Sequence, residues 1–112
     1  MLNQSAALDL RFQALADPTR RAVLERLNDS PAPVSELAQP FDMALPSFIQ
    51  HLGVLERCGL VFSQKSGRVR TYQLAPQPLQ AAEHWIAKQR TMWEARFDQL
   101  DTYLNTIKVA KS

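Results

Sequence analysis

The stretch Leu45-Pro-Ser-Phe-Ile-Gln-His-Leu-Gly-Val-Leu-Glu-Arg-Cys-Gly-Leu-Val-Phe-Ser-Gln-Lys-Ser-Gly-Arg-Val-Arg-Thr-Tyr-Gln-Leu74 switches from one periodicity to another at Gly59. Before that glycine, Leu45, Phe48, Ile49, Leu52 and Leu55 gather on one face at about 100° per residue, which predicts an amphipathic helix over 44–58 with Gly59 as its C′ residue. The opposite face collects Ser47, Gln50, Gly53, Val54 and Arg57, with His51 at the boundary. After the glycine, two β-rich runs flank Ser66-Gly67, predicting a hairpin over 60–74. Val69 and Tyr72 are out of strict alternation, so the expectation includes a bulge or a late start in one strand.

Upstream, Leu8, Phe12 and Leu15 form one helical stripe that stops before Asp17-Pro18-Thr19. Asp is a favoured N-cap and Pro suits the first helical position, so a second helix starts there, with Val23, Leu24 and Leu27 inward and an end near Asn28. Asp29-Ser-Pro-Ala-Pro33 reads as a loop, followed by a short third helix over Glu36–Gln39 capped by Ser35 and closed by Pro40. Downstream, Pro76 and Pro78 introduce a long helix over 78–107. There Ile86, Trp93, Phe97, Leu100, Leu104 and Ile107 recur at 7, 4, 3, 4 and 3, the seam of a helix lying along another helix.

The predicted order is α-α-α-α-β-β-α in a single domain over 1–112, mainly α with a small β-hairpin. That is the layout of a winged helix-turn-helix, with 44–58 as recognition helix and the hairpin as wing. Ser47, Gln50, His51, Val54 and Arg57 are then the candidates for DNA contact. Gln pairs with adenine and Ser with base or phosphate. The helix alone fits an ordinary amphipathic surface helix equally well. From Arg57 to Ala82, Arg57, Lys65, Arg68 and Arg70 face no acidic residue, and three of them cluster at the hairpin tip. Cations on a protruding loop suit phosphate or the minor groove, although charges also protect sheet edges from aggregation. Arg20 and Ser35, at helix starts, are weaker phosphate candidates. The last helix exposes more apolar surface than a small body covers, so a homodimer through the first and last helices is expected, using Leu8, Phe12, Ile86, Trp93, Phe97, Leu100, Leu104 and Ile107. A winged-helix dimer serving protein contact with weak DNA binding is the alternative.

Composition narrows the remaining classes. The 112 residues are 46% hydrophobic and 21% charged, enough for a packed core and too short for an enclosed active site beside it. Thirteen Lys and Arg against eleven Asp and Glu leave only +2, so the basic segment matters more than the total. No apolar run approaches the roughly 20 residues of a membrane span, and no cleavable signal peptide is visible, which points to the cytoplasm. Paired carboxylates, a Ser-His-Asp set and a Gly-rich phosphate loop are all missing, so no enzyme is expected. Neither cofactor nor metal is expected: the third helix carries no thiolate, Glu83 and His84 point about 100° apart, and His51 and His84 alone do not make a first-row metal site. Cys58 reads as half-buried packing, with an intersubunit disulfide or thiol adduct left open. The aromatics of the last helix read as interface packing, with a small-molecule pocket at the seam as the other possibility and the effector unknown.

Four segments resemble the ArsR/SmtB family of bacterial repressors: Phe12-Gln-Ala-Leu-Ala-Asp-Pro-Thr-Arg-Arg-Ala-Val-Leu-Glu-Arg-Leu27, Val34-Ser-Glu-Leu-Ala38, His51-Leu-Gly-Val-Leu-Glu-Arg-Cys-Gly-Leu-Val61 and Gly67-Arg68. The resemblance runs over residues 8–104. Phe41-Asp-Met-Ala-Leu-Pro46 and the Trp85, Trp93 and Leu100-Asp-Thr-Tyr-Leu104 pattern are similar to a subgroup lacking the metal-binding cysteines. The resemblance implies a homodimeric winged-helix repressor whose outer helices form the interface, whose fourth helix enters the major groove and whose hairpin touches flanking DNA. Gly53, Ile49 and Ala44 depart from that family's pattern, which commonly has Lys or Arg, a polar residue and Ser there.

Overall fold

A computed structural model describes residues 4–110, so the ends of the expected 1–112 domain lie outside the described residues. The elements are α1 (Gln4–Leu15), α2 (Pro18–Leu27), β1 (Ala32–Pro33), α3 (Val34–Ala38), α4 (Leu45–Arg57), β2 (Val61–Ser66), β3 (Val69–Leu74) and α5 (Pro76–Ala110). The chain divides into two compact units, one up to Ala82 and one from Glu83.

Local chemistry explains how the first unit starts and stops its helices. Asp17, in extended backbone, accepts the Arg20 backbone N–H through Oδ2 at 3.0 Å and caps α2, with Pro18 at its first position. The carbonyls left open at the end of α1 are taken by the same segment. Arg20 donates from Nε to Ala14 O at 2.8 Å and from Nη2 to Gln13 O at 2.9 Å, and Arg21 Nη1 reaches Leu15 O at 2.8 Å. At the other end of the unit, Gly59 sits at φ 79°, its N–H donating to Glu56 O at 3.0 Å, while the Leu60 N–H donates to Leu55 O at 3.0 Å. This is a Schellman closure of α4, and its apolar partners Leu55 and Leu60 are both fully buried.

The hairpin is regular. β2 and β3 pair from Val61↔Leu74 to Ser66↔Val69 without interruption, so the expected bulge does not occur. Val69 and Tyr72 lie three residues apart and face opposite sides, which is why Val69 is exposed and Tyr72 buried. The turn is Gly67-Arg68 rather than Ser66-Gly67. With φ 62° at Gly67 and no positive φ at Arg68, it is a type II′ turn, which matches strand twist.

A third strand was absent from the expected order. Ala32 and Pro33 pair antiparallel with Tyr72 and Thr71, making the sheet β1-β3-β2. Pro33, held extended at φ −76° and ψ 164°, is the N-cap of α3 without any side-chain bond. The helix therefore begins at Val34, and Ser35 lies inside it instead of capping it. α1 and α5 both start earlier than their apolar stripes indicated.

The core joins Val23, Leu24 and Leu27 of α2, Leu37 of α3, Phe48, Leu52 and Leu55 of α4, and Leu60, Val61 and Tyr72 around the sheet. Full burial of one such side chain stabilises by about 1.5–3 kcal/mol, so this cluster fixes the orientation of α4. Phe41 adds a tilted ring contact to Phe48, with centroids 5.4 Å apart.

Candidate nucleic-acid interface

Three buried residues, Phe48, Leu52 and Leu55, spaced 4 and 3, define the inner stripe of α4. The expected inner face was wider. Leu45 and Ile49 are 52% and 48% exposed and belong with the outward side, because at 100° per residue Ile49 lies a full step beyond Phe48. Val54 goes the other way, packing half-buried against the core, so it is withdrawn from the DNA-contact set. Ser47, Gln50 and Arg57 are exposed as expected. The N-cap of α4 is Ala44, whose side chain makes no capping bond. Around Gly53, the nearest atoms to an added Cβ belong to the Arg57 guanidinium, with Nη1 at 3.1 Å, so that side chain lies back along α4 over the glycine.

His51 and Arg20 serve the scaffold. Arg20 Nη1 is 3.1 Å from His51 Nδ1, and since guanidinium only donates, the imidazole nitrogen accepts. Asp17 Oδ2 is 3.7 Å from the same nitrogen. Arg20 thus commits three of its five N–H donors to the end of α1 and to α4, bracing the scaffold beside the helix it was expected to help hold on phosphate; His51 likewise faces the α2 start. Burial alone would raise the Asp17 carboxyl, but the Arg20 backbone N–H, His51, the Arg20 charge and the Thr19 backbone N–H outweigh it and hold it below the ordinary carboxylate value.

On the wing, Lys65 and Arg68 are exposed and, among the described residues, make no hydrogen bond or ion pair. Arg70 Nη1 donates to Ser63 Oγ at 2.8 Å, and Ser63 Oγ donates to Glu56 Oε1 at 3.2 Å, a chain that ties the wing to α4. Burial, then the Glu56 charge, push the Tyr72 hydroxyl above its usual value against the opposing pull of Arg70 and the Ser63 hydrogen bond. A shallow depression of about 250 Å³ brings Ser35 of α3 together with Arg68 and Arg70, lined also by Pro33, Val34 and Val69. Three residues chosen separately from the sequence thereby share one concave surface.

The unit from Glu83 carries an apolar stripe. Ile86, Trp93, Phe97, Leu100 and Leu104 are 48–64% exposed, and Ile107 is half-buried; Leu8 and Phe12, in the first unit, are half-buried. Among the described residues no group of three or more His, Cys, Asp or Glu is arranged to hold a metal. The Cys58 thiol donates to Leu55 O at 3.3 Å and is half-buried. No helix is long and apolar enough to cross a membrane among the described residues.

Comparison with known proteins gives a consistent result. A family model described as a helix-turn-helix domain matches residues 15–62. The HTH-type transcriptional regulator Rv2034 of Mycobacterium tuberculosis is 47% identical over 73 residues, covering 65% of this chain and 68% of that protein. The transcriptional repressor SdpR of Bacillus subtilis is 29% identical, covering 67% of this chain and 83% of that one. A crystal structure described as the ArsR family transcriptional regulator RHA00566 superposes with a TM-score of 0.79 at 54% identity, covering 84% of this chain and 97% of that chain.

Proposed function

The chain belongs to the ArsR family of winged helix-turn-helix transcriptional regulators, DNA-binding proteins and not enzymes, and from that premise we propose that it acts in the cytoplasm as a homodimeric repressor of a palindromic operator. The observation that carries this reading is the pair of unpartnered cations Lys65 and Arg68 on a wing tied to α4, whose exposed Ser47 and Gln50 are free to meet base edges. In this reading Arg57, Lys65, Arg68 and Arg70 supply charge to the phosphates, and Ser35 joins Arg68 and Arg70 at the depression beside the wing. Among these cations Arg70 keeps its bond to Ser63, while Lys65 and Arg68 have no side-chain partner among the described residues.

Dimerisation rests on the α5 stripe. Large exposed apolar residues at heptad-like spacing want a partner helix, and a second copy presenting the same stripe satisfies them. Leu8 and Phe12 of α1 are proposed as further interface residues. Reading two half-sites one turn of B-DNA apart requires the two α4 helices of the dimer about 34 Å apart. Mobility-shift titration with the intergenic DNA upstream of the coding sequence tests the reading. A saturable complex of one dimer per duplex, resistant to competitor DNA of random sequence, is the expected result. Binding no tighter than to the competitor removes operator recognition and leaves a protein-contact dimer.

A further inference from the structure

Ile49 is a large β-branched side chain that the fold leaves 48% exposed on the helix assigned to the major groove. It belongs to an outward row at i, i+4, i+8 and i+12: Leu45, Ile49, Gly53 and Arg57. The third member has no side chain. Gly53 lacks a positive φ, so the backbone does not demand glycine, and the only groups near an added Cβ are the far end of Arg57. The effect is a low step on the helix surface immediately beyond Ile49, covered only by the Arg57 guanidinium, the flexible end of a side chain that can swing out to a phosphate. Gln50, next to Ile49, is exposed, and its side chain makes no hydrogen bond with the described residues.

Each of these features matches one feature of an A·T pair seen from the major groove. The thymine C5-methyl is the one apolar group that base edges present there, and apolar side chains read it by contact. Adenine offers N6 and N7 to a neighbouring amide. Close approach of backbone to a ligand is a recurring use of glycine. The surrounding charge argues for a polyanion as the occupant: the segment from Arg57 to Ala82 has no acid, and Glu56 is engaged by Ser63. We propose that Ile49 is a specificity-determining residue that packs on a thymine C5-methyl in each half-site, with Gly53 supplying the clearance and Gln50 reading an adjacent adenine. This rests on the DNA-binding reading above.

Removing single methyl groups tests it. Duplexes enriched from a random-sequence library are remade with deoxyuridine replacing thymidine at one symmetric pair of positions at a time, and binding is followed by fluorescence anisotropy. At one such pair wild-type affinity falls about fourfold per half-site, about fifteenfold for both, the size of one lost methyl contact. The Ile49→Ala variant binds the thymidine duplex more weakly and is indifferent to that replacement, while Ile49→Val keeps part of the sensitivity. Thermal unfolding of both variants close to wild type shows that the exposed position does not carry the fold. Binding that no deoxyuridine changes by twofold overturns the inference and leaves DNA recognition standing, as does Ile49→Ala keeping full sensitivity. A library that yields no enriched duplex overturns DNA recognition itself and the inference with it.

Discussion

Lys65 and Arg70 stand directly opposite each other across the β2–β3 ladder, on one face of the wing. Like charges so paired destabilise a hairpin. Arg70 is steadied by Ser63, and Lys65 has no partner among the described residues, so an anion from outside would relieve the pair. In the proposed reading that anion is a DNA phosphate. Each phosphate contact contributes about 0.9 to the slope of log affinity against log salt. Lys65→Ala and Arg68→Ala are therefore expected to flatten that slope by about 0.9 each, measured by anisotropy between two salt concentrations. An unchanged slope takes the wing out of the interface.

Gly53 interrupts the middle of α4 at a cost of roughly 0.5–1 kcal/mol relative to Ala. An added methyl meets only the flexible tip of Arg57, which can move aside. Gly53→Ala is expected to stabilise the protein by that amount in urea unfolding. A lower midpoint would show that the backbone there is constrained by something other than Arg57.

The Asp17 carboxyl links cap chemistry to pH. Its folded value is held below the ordinary carboxylate value near 3.9, so its contribution is complete above that value and is lost as pH falls through the folded one. Asp17→Ala should cost about 1 kcal/mol at pH 7, the usual worth of an N-cap. The gap between variant and wild type should narrow in the acid limb below about pH 4. Asp17→Asn retains a capping oxygen, so it should lose the pH dependence while keeping most of the stability. A gap independent of pH would place the stabilisation outside the carboxylate.

Leu100 and Leu104 lie one turn apart on the exposed stripe of α5. Replacing both with Asp is expected to give a monomer in sedimentation equilibrium and to weaken operator binding at least tenfold, since two half-sites no longer act together. A variant that still sediments as a dimer would locate the interface elsewhere.

How much of this was legible from the chain depends on the range of the interactions. Asp17-Pro18 and Gly59 announced the ends of helices because cap and Schellman bonds reach only three to five residues along the chain. β1 was illegible: its pairing of Ala32 with Tyr72 spans forty positions, and a two-residue strand containing proline has no pattern of its own. The bracing bonds of Arg20 were illegible for the same reason, since its partners lie at Gln13, Ala14 and His51. On α4 the outward Ser47, Gln50 and Arg57 followed from the period. Ile49 and Val54 did not, because an apolar side chain near the edge of a stripe falls inside or outside according to which neighbours pack there. The inner spacing of Phe48, Leu52 and Leu55 was the available signal. Lys65, Arg68, Arg70 and Ser35 were visible as residue types, whereas the depression that Ser35 shares with Arg68 and Arg70 needed the third strand.

The central claim, that α4 and the wing of a two-fold dimer read a specific DNA sequence, is tested most directly by selection from a random-sequence duplex library followed by sequencing. The account predicts enrichment of one inverted repeat whose half-sites are centred about one helical turn apart, roughly 10 base pairs. Recovery of an unenriched library at protein concentrations where the dimer is intact would contradict it.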